Sequence, residues 1–243
     1  ATPHAPAEGK LVALPQDPFN NNAPAGAILS SAEDLSKWVQ VLLAQGDLGQ
    51  GRRLYSAAQA RLLETPLTLL PLRPREGPLK EATPTMAAYA MGLGVRDYRG
   101  TRLVGHTGGL AGMVSRVTLL PELKLGVVVL TNAEVTEAFD AITHTVLDHY
   151  LGAPPKDWVA AHAEVKAARE ARAKAAVAKA SAGRDPASRP SLALTAYAGR
   201  YRDPWYGDVH FEVKEGRLRI RFSHTPALNA VLEHWQQDTF VAR

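Results

Sequence analysis

The run from Leu125 to Leu130 constrains this chain more than any other stretch. It reads LGVVVL, is the length of a strand and has no polar side chain, so both of its faces must be covered. The cover is helical: the segment from Ala138 to Leu151 sets Phe139, Ile142, Val146 and Tyr150 at near-helical spacing, and Gly152 with Pro154-Pro155 ends it. Short β-branched or apolar runs at 89–98, 101–106 and 112–120, separated by Gly or Pro-Glu turns, predict successive antiparallel hairpins. The expected class is α+β, an antiparallel sheet flanked by helices.

Upstream, Ser31-Ala32-Glu33-Asp34 has the form of a capping box, and Leu35, Trp38, Val39, Leu42 and Leu43 then share one helical face until Gly46. A shorter helix is predicted from Ser56, with Gln59 at its third position and Pro66 as its stop. The first 25 residues, with five prolines and Asn20-Asn21-Asn22, read as a loop, as do residues 66–84 with five more prolines. Segment 157–182 is Ala-rich and pairs Lys166/Glu170 and Glu170/Lys174 four apart without a wide apolar stripe, which predicts a solvated connector helix. Gly183 to Pro190 breaks into a linker, and Glu215-Gly216 joins 209–214 to 218–222 in a hairpin. The expected organisation is an α+β portion over 1–155, a connector over 156–190, and a small partial β domain of about four strands over 191–243.

Several function classes are excluded. Cysteine is absent, which removes thiol nucleophiles, disulfides and cysteine-ligated zinc. No apolar run approaches the roughly eighteen residues of a membrane span, and no segment has the form of a signal peptide. Of 28 Lys/Arg and 24 Asp/Glu, eight and four lie in 156–190, leaving 20 of each sign elsewhere. The net charge of +4 is therefore no basic face for nucleic acid. His144 and His149 are five apart, on different helix faces, and read as surface or partly buried residues; no His-Glu-x-x-His occurs and no metal is expected. Gly92-Leu93-Gly94 lacks a third glycine and no Gly-x-Ser-x-Gly occurs, so neither a cofactor nor an α/β-hydrolase elbow is expected. Trp205-Tyr206 and Trp235 read as core packing of the small β domain rather than as a binding surface.

The sharpest local feature is Gly105-His106-Thr107-Gly108-Gly109, placed between a strand ending at Val104 and one beginning near Gly112. Glycines at a sheet edge admit a ligand or another backbone, exposed amides can donate to an oxyanion, and His and Thr side chains can donate to a carboxylate or carbonyl. A plain hairpin turn carrying one surface histidine has the same composition. The stretch GHTGGLAGMVSRVTLLPELKLGVVVLTN, with PAGAILSSAEDLSKW upstream, resembles the later part of the serine β-lactamase and penicillin-binding hydrolase family, in its class C and esterase-like branch, over residues 20–152.

That resemblance implies a β-lactamase/transpeptidase-like fold, here incomplete, and acyl transfer by a serine that attacks an amide, β-lactam, D-amino-acid peptide or ester. It makes His106-Thr107-Gly108 the match to the family's third signature, with His106 and Gly109 as catalytic candidates and Thr107 and Gly108 as substrate-binding ones. The Gly109 amide would share an oxyanion hole with the nucleophile's own amide. No Ser-x-x-Lys occurs and none of the seven tyrosines begins a Tyr-x-Asn, so the implied partner is an upstream catalytic segment carrying both, and this chain alone is expected to be inactive. Residues 197–201 and 232–235 resemble the start of the lipocalin-like β domain often appended to these hydrolases. A bacterial periplasmic or secreted location follows from the resemblance alone. The competing expectation is a non-catalytic module that binds peptidoglycan stems or a protein partner.

Overall fold

The computed structural model describes residues 1–7, 9–16 and 23–242. Its first elements are β1 (His4–Ala7), β2 (Lys10–Ala13), α1 (Ala23–Gly26), α2 (Ala32–Leu43), β3 (Asp47–Gly49), β4 (Arg52–Arg53), α3 (Ala57–Glu64) and β5 (Thr68–Leu69). A meander follows in β6 (Ala87–Tyr89), β7 (Gly94–Tyr98), β8 (Thr101–Leu110), β9 (Met113–Leu120) and β10 (Leu125–Thr131), then α4 (Thr136–Tyr150) and α5 (Trp158–Ala182). The last strands are β11 (Gly199–Asp203), β12 (Gly207–Lys214), β13 (Arg217–Phe222), β14 (Ala230–Gln236) and β15 (Thr239–Ala242). The chain divides into two compact units, Ala1–Arg169 and Glu170–Arg243.

In the first unit, six antiparallel strands lie in the order β10-β9-β8-β7-β6-β5, each beside its neighbour in sequence. Both faces of β10 are covered. Gly126 and Val128 face α2, whose Val39 and Leu42 pack with Val95, Val104 and Leu119. Val127 and Val129 face the other way, onto Phe139 and Leu147 of α4 and Trp158 of α5. The approach of α2 is close: a Cβ on Gly126 would lie 2.1 Å from Val39 Cγ1, so only glycine admits that helix. The caps read from the sequence are formed, Ser31 Oγ accepting from the Asp34 amide at 3.1 Å and Ser56/Gln59 closing a full capping box.

Several expectations are corrected. The N-terminal stretch is not all loop: β1 and β2 pair as a hairpin, held by His4 N donating to Gly112 O at 3.0 Å and Glu134 N to His4 O at 2.9 Å. Asn20-Asn21-Asn22 lies outside the described residues. Within 66–84, β5 pairs with β6, and residues 77–82 form a 3-10 helix. The strand expected over 89–98 is two, β6 and β7, because Ala90 N reaches back to Leu93 O across a tight turn. The connector helix buries its first turn, with Trp158, Ala161 and His162 all in the core, and is solvated only beyond it. His144 is likewise fully buried, whereas His149 is exposed.

The second unit is a five-stranded antiparallel meander, β11 to β15, one strand more than expected, and Glu215-Gly216 forms its anticipated turn between Lys214 and Arg217. Trp205 and Tyr206 do not pack in it. They are 85% and 70% exposed on the β11–β12 loop, where Asp203 Oδ1 takes both of their backbone amides. Trp235 is half-buried under the Arg184 guanidinium, 4.8 Å from the ring centre.

Candidate active site

Strand β8 does not stop at Val104. It carries the whole Gly105–Gly109 motif in ladder register with β9, His106 opposite Val117, Thr107 opposite Arg116, Gly108 opposite Ser115, and it turns only at Ala111-Gly112. A two-residue turn makes Leu110 and Met113 a hydrogen-bonded pair, so residues 110, 108, 106 and 104 direct their N–H and C=O toward β9. The alternate residues 101, 103 and 105 pair with β7, which begins at Gly94 opposite Gly105. Beyond that point no described strand continues on the β7 side. The amide and carbonyl groups of Thr107 and Gly109 therefore project from an edge along which no described strand pairs.

The side chains follow the pleat. Thr107 and Gly109 lie on the α4 side, and His106 and Gly108 on the α2 side with Val104. His106 is exposed, its ring edge-on to Tyr89 with centroids 6.0 Å apart. Glycine is required at 105, where a Cβ would fall 2.2 Å from Val117 O and force β8 from β9; at 108 a Cβ would meet only Ser115 Oγ, at 2.4 Å, which rotation of the serine side chain relieves. At Gly109 the corresponding space is empty. His106 and Thr107 line a cleft of ≈ 410 Å³ with Tyr89, Gly105 and Thr118. Thr107, Gly108 and Gly109 border a second concavity of ≈ 590 Å³ with Glu134, Thr136 and Phe139. All four candidates thus sit together at one edge.

The cleft holds residues that the motif did not announce. Arg73, Arg75, Arg96 and Arg116 line it. Arg116 is buried, ion-paired to Asp140, and donates Nε to Thr118 Oγ1 at 3.2 Å. Burial lowers the Arg75 guanidinium below its ordinary range, and burial together with the charge of Arg75 brings Arg96 down to about 10. The signal for Arg116 was a charge inside the apolar strand 114–120. Arg96 reaches the cleft from β7 and Arg75 from the irregular stretch after β5, a meeting that spacing along the chain does not reveal.

Behind the cleft, His144 stacks on Tyr98 and His162 at 5.2 and 5.8 Å between ring centres. Asp148 accepts from Tyr98 OH, Arg99 Nε and Trp158 Nε1 at 2.6, 2.8 and 2.7 Å. Burial alone would raise the Asp148 carboxyl, but those three donors outweigh it and hold the group below the usual carboxylate range. Among the described residues no group of three or more His, Asp or Glu is placed to hold a metal ion, and no helix is long and apolar enough to cross a membrane.

The family model described as Beta-lactamase matches residues 1–151, and one described as a domain of unknown function (DUF3471) matches residues 183–243. The chain is 30% identical over 238 residues to Unguisins hydrolase ungD of Aspergillus violaceofuscus, covering 90% of this chain and 41% of that protein. A second unguisins hydrolase, from Aspergillus campestris, is 26% identical over 188 residues, covering 75% and 33%. The chain therefore spans about two fifths of the first relative and a third of the second. Among solved structures, an octameric penicillin-binding protein homologue from Pyrococcus abyssi matches with a TM-score of 0.49 and 20% identity, over 96% of this chain and 43% of that one.

Proposed function

The chain belongs to the β-lactamase family, and from that premise we propose that its first unit is the substrate wall of a serine acyl hydrolase. The observation that carries this reading is the edge of β8, where among the described residues no strand pairs with the Thr107 and Gly109 backbones on the β7 side, beside a pocket. In acyl transfer the carbonyl oxygen of the substrate gains charge as the serine attacks. On this reading the Gly109 amide donates to that oxygen. Thr107 Oγ1 and the Thr107 backbone hold the substrate along the edge, and Gly108 continues the strand opposite Ser115. His106, exposed beside Tyr89, acts on the proton traffic of the reacting centre. The nucleophile and its lysine belong to a Ser-x-x-Lys segment outside these 243 residues.

The substrate class is an amide, lactam or ester. The two Aspergillus relatives are named as hydrolases of unguisins, which supports hydrolysis as the outcome of the acyl step. Their fungal origin leaves the bacterial periplasm, implied by resemblance alone, without support, and location forms no part of the proposal. The division of labour assigns the wall to 1–155, the connection to 156–190 and an accessory β domain to 191–243.

The test supplies a Ser-x-x-Lys segment from a relative and follows labelling of its serine by a fluorophosphonate. His106→Ala is expected to slow acylation by ~100- to ~1000-fold, the usual loss when one catalytic donor is removed. Unchanged labelling would remove His106 from the site. The absence of Ser-x-x-Lys and Tyr-x-Asn from these residues favours a second reading, a binding module that keeps the groove without the reaction. No labelling with any supplied segment, together with saturable binding of peptidoglycan stem peptide, is the outcome that selects it.

A further inference from the structure

The β11–β12 loop puts its two largest side chains in water. Trp205 and Tyr206 stand out from a fixed turn, in which Asp203 Oδ1 takes both of their amides at 2.7 and 2.8 Å and Gly207 closes the loop at φ +77°. The β13–β14 connection lies beside it: Ser223 N donates to Asp208 O and Asp208 N to Ser223 Oγ, both at 2.9 Å. A 3-10 turn in that connection, Pro226–Leu228, leaves Leu228 exposed as well. Single exposed apolar residues are ordinary on a protein surface. Two aromatics and a leucine on neighbouring loops at one end of a sheet mark a place where something apolar is met.

Behind that end lies a belt of guanidiniums. His210 is opposite Arg200 on one side and Arg221 on the other, so the three share one row on one face, and Arg202 is on that face one row nearer the loop. The neighbouring acids serve them only in part. Asp208 accepts from Arg200 at 2.7 Å but stands 3.8 Å from Arg202, and Glu212 stands 3.7 Å from Arg221. All three arginine side chains are more than half exposed. Cations gathered on one face repel one another, a cost that anions laid over the face would offset.

The order of the two layers decides the partner. Arg200 and His210 are each three residues from the ends of the loop at Asp203 and Gly207, or about 10 Å at strand rise. An amphipathic surface resting on a bilayer sinks its apolar part about 5–10 Å into the boundary between headgroups and acyl chains. Indole and phenol rings favour that depth, and arginines one layer behind them reach the phosphates. A soluble polyanion would engage the guanidiniums and leave the rings idle. We infer that this end of the second unit is a docking surface for a lipid bilayer with anionic headgroups, held at the interface without spanning it.

The experiment sediments the 243-residue chain with vesicles of phosphatidylcholine, alone or mixed with phosphatidylserine, and titrates it separately with polyphosphate. Partitioning onto the mixed vesicles is expected to be at least about tenfold stronger than onto phosphatidylcholine alone, and to fall as salt is raised. Trp205→Ala should weaken it by about tenfold, and Arg202→Gln and Arg221→Gln by about fivefold each. Mixed vesicles should also move tryptophan emission to shorter wavelength, and Trp205→Phe should abolish that move. All of these positions are exposed, and circular dichroism checks that each variant keeps its fold. Absence of partitioning, equal partitioning onto both vesicles, or a Trp205→Ala chain that partitions as the parent does overturns the surface. Polyphosphate binding tighter than vesicle binding and indifferent to Trp205→Ala overturns it in favour of a polyanion face.

Discussion

His144 is the most consequential single residue outside the cleft. It is 2% exposed, its Nδ1 has no partner among the described residues, and it lies among the Tyr98, Trp158 and His162 rings with the cations of Arg75, Arg96 and Arg99 acting on it. Burial first, and those cations second, push it down to about 3. Unfolded, it would bind its proton near pH 6.5. The unfolded chain therefore takes up more protons than the folded one between those values, and the stability this neutral imidazole contributes is complete above pH 6.5 and lost as the pH falls toward 3. His162, lowered by burial and by Arg75, adds in the same sense. His144→Phe keeps a ring in the stack and removes one titrating group. Urea unfolding from pH 7 to 4 is expected to show a slope shallower by ~1.4 kcal/mol per pH unit in the variant below about pH 6.

At the scale of elements, the seat of α2 on β10 depends on one missing side chain. Val39 is β-branched and cannot swing aside when a methyl is added at Gly126. Gly126→Ala is expected to destabilise the chain by about 1–3 kcal/mol, and Val39→Ala in the same molecule to recover part of that loss. A double-mutant cycle by denaturant titration measures the coupling, and strict additivity would show that the helix relaxes away. The elements themselves were legible wherever local chemistry specifies them. LGVVVL demanded two covered faces and has them, and both serine caps were readable from four residues each. The extent of β8 was not, because Gly-His-Thr-Gly-Gly carries none of the β-branched signature of a strand and is held straight by Arg116, Val117 and Ser115 across the ladder. The arginines of the cleft were hidden for a related reason: positions 96 and 116 have nothing in common until β7 and β9 flank β8, and position 75 joins them from the irregular stretch after β5. The burial of His144 depends on Trp158, which arrives on the next helix.

At the scale of the whole molecule, the two units are built to different depth. The first has two buried clusters, one on each face of its sheet, whereas among the described residues of the second only Leu218 is buried. Few buried apolar groups mean cheap local opening. Amide hydrogen exchange is expected to be faster by at least tenfold over β12–β15 than over β8–β10, and heating to give a transition broader than a single two-state step. Equal protection in both units would show that the second is held by something other than its own core.

On the proposed reading, the bare lip of β8 would also set an order in which visitors are inspected. Donors and acceptors offered at main-chain spacing engage an uncoiled guest by its peptide groups before any of its side chains is sampled, and a helical or tightly curled one, whose peptide groups are already spoken for, has nothing to offer in return. Shape would be the first filter, and chemistry only the second.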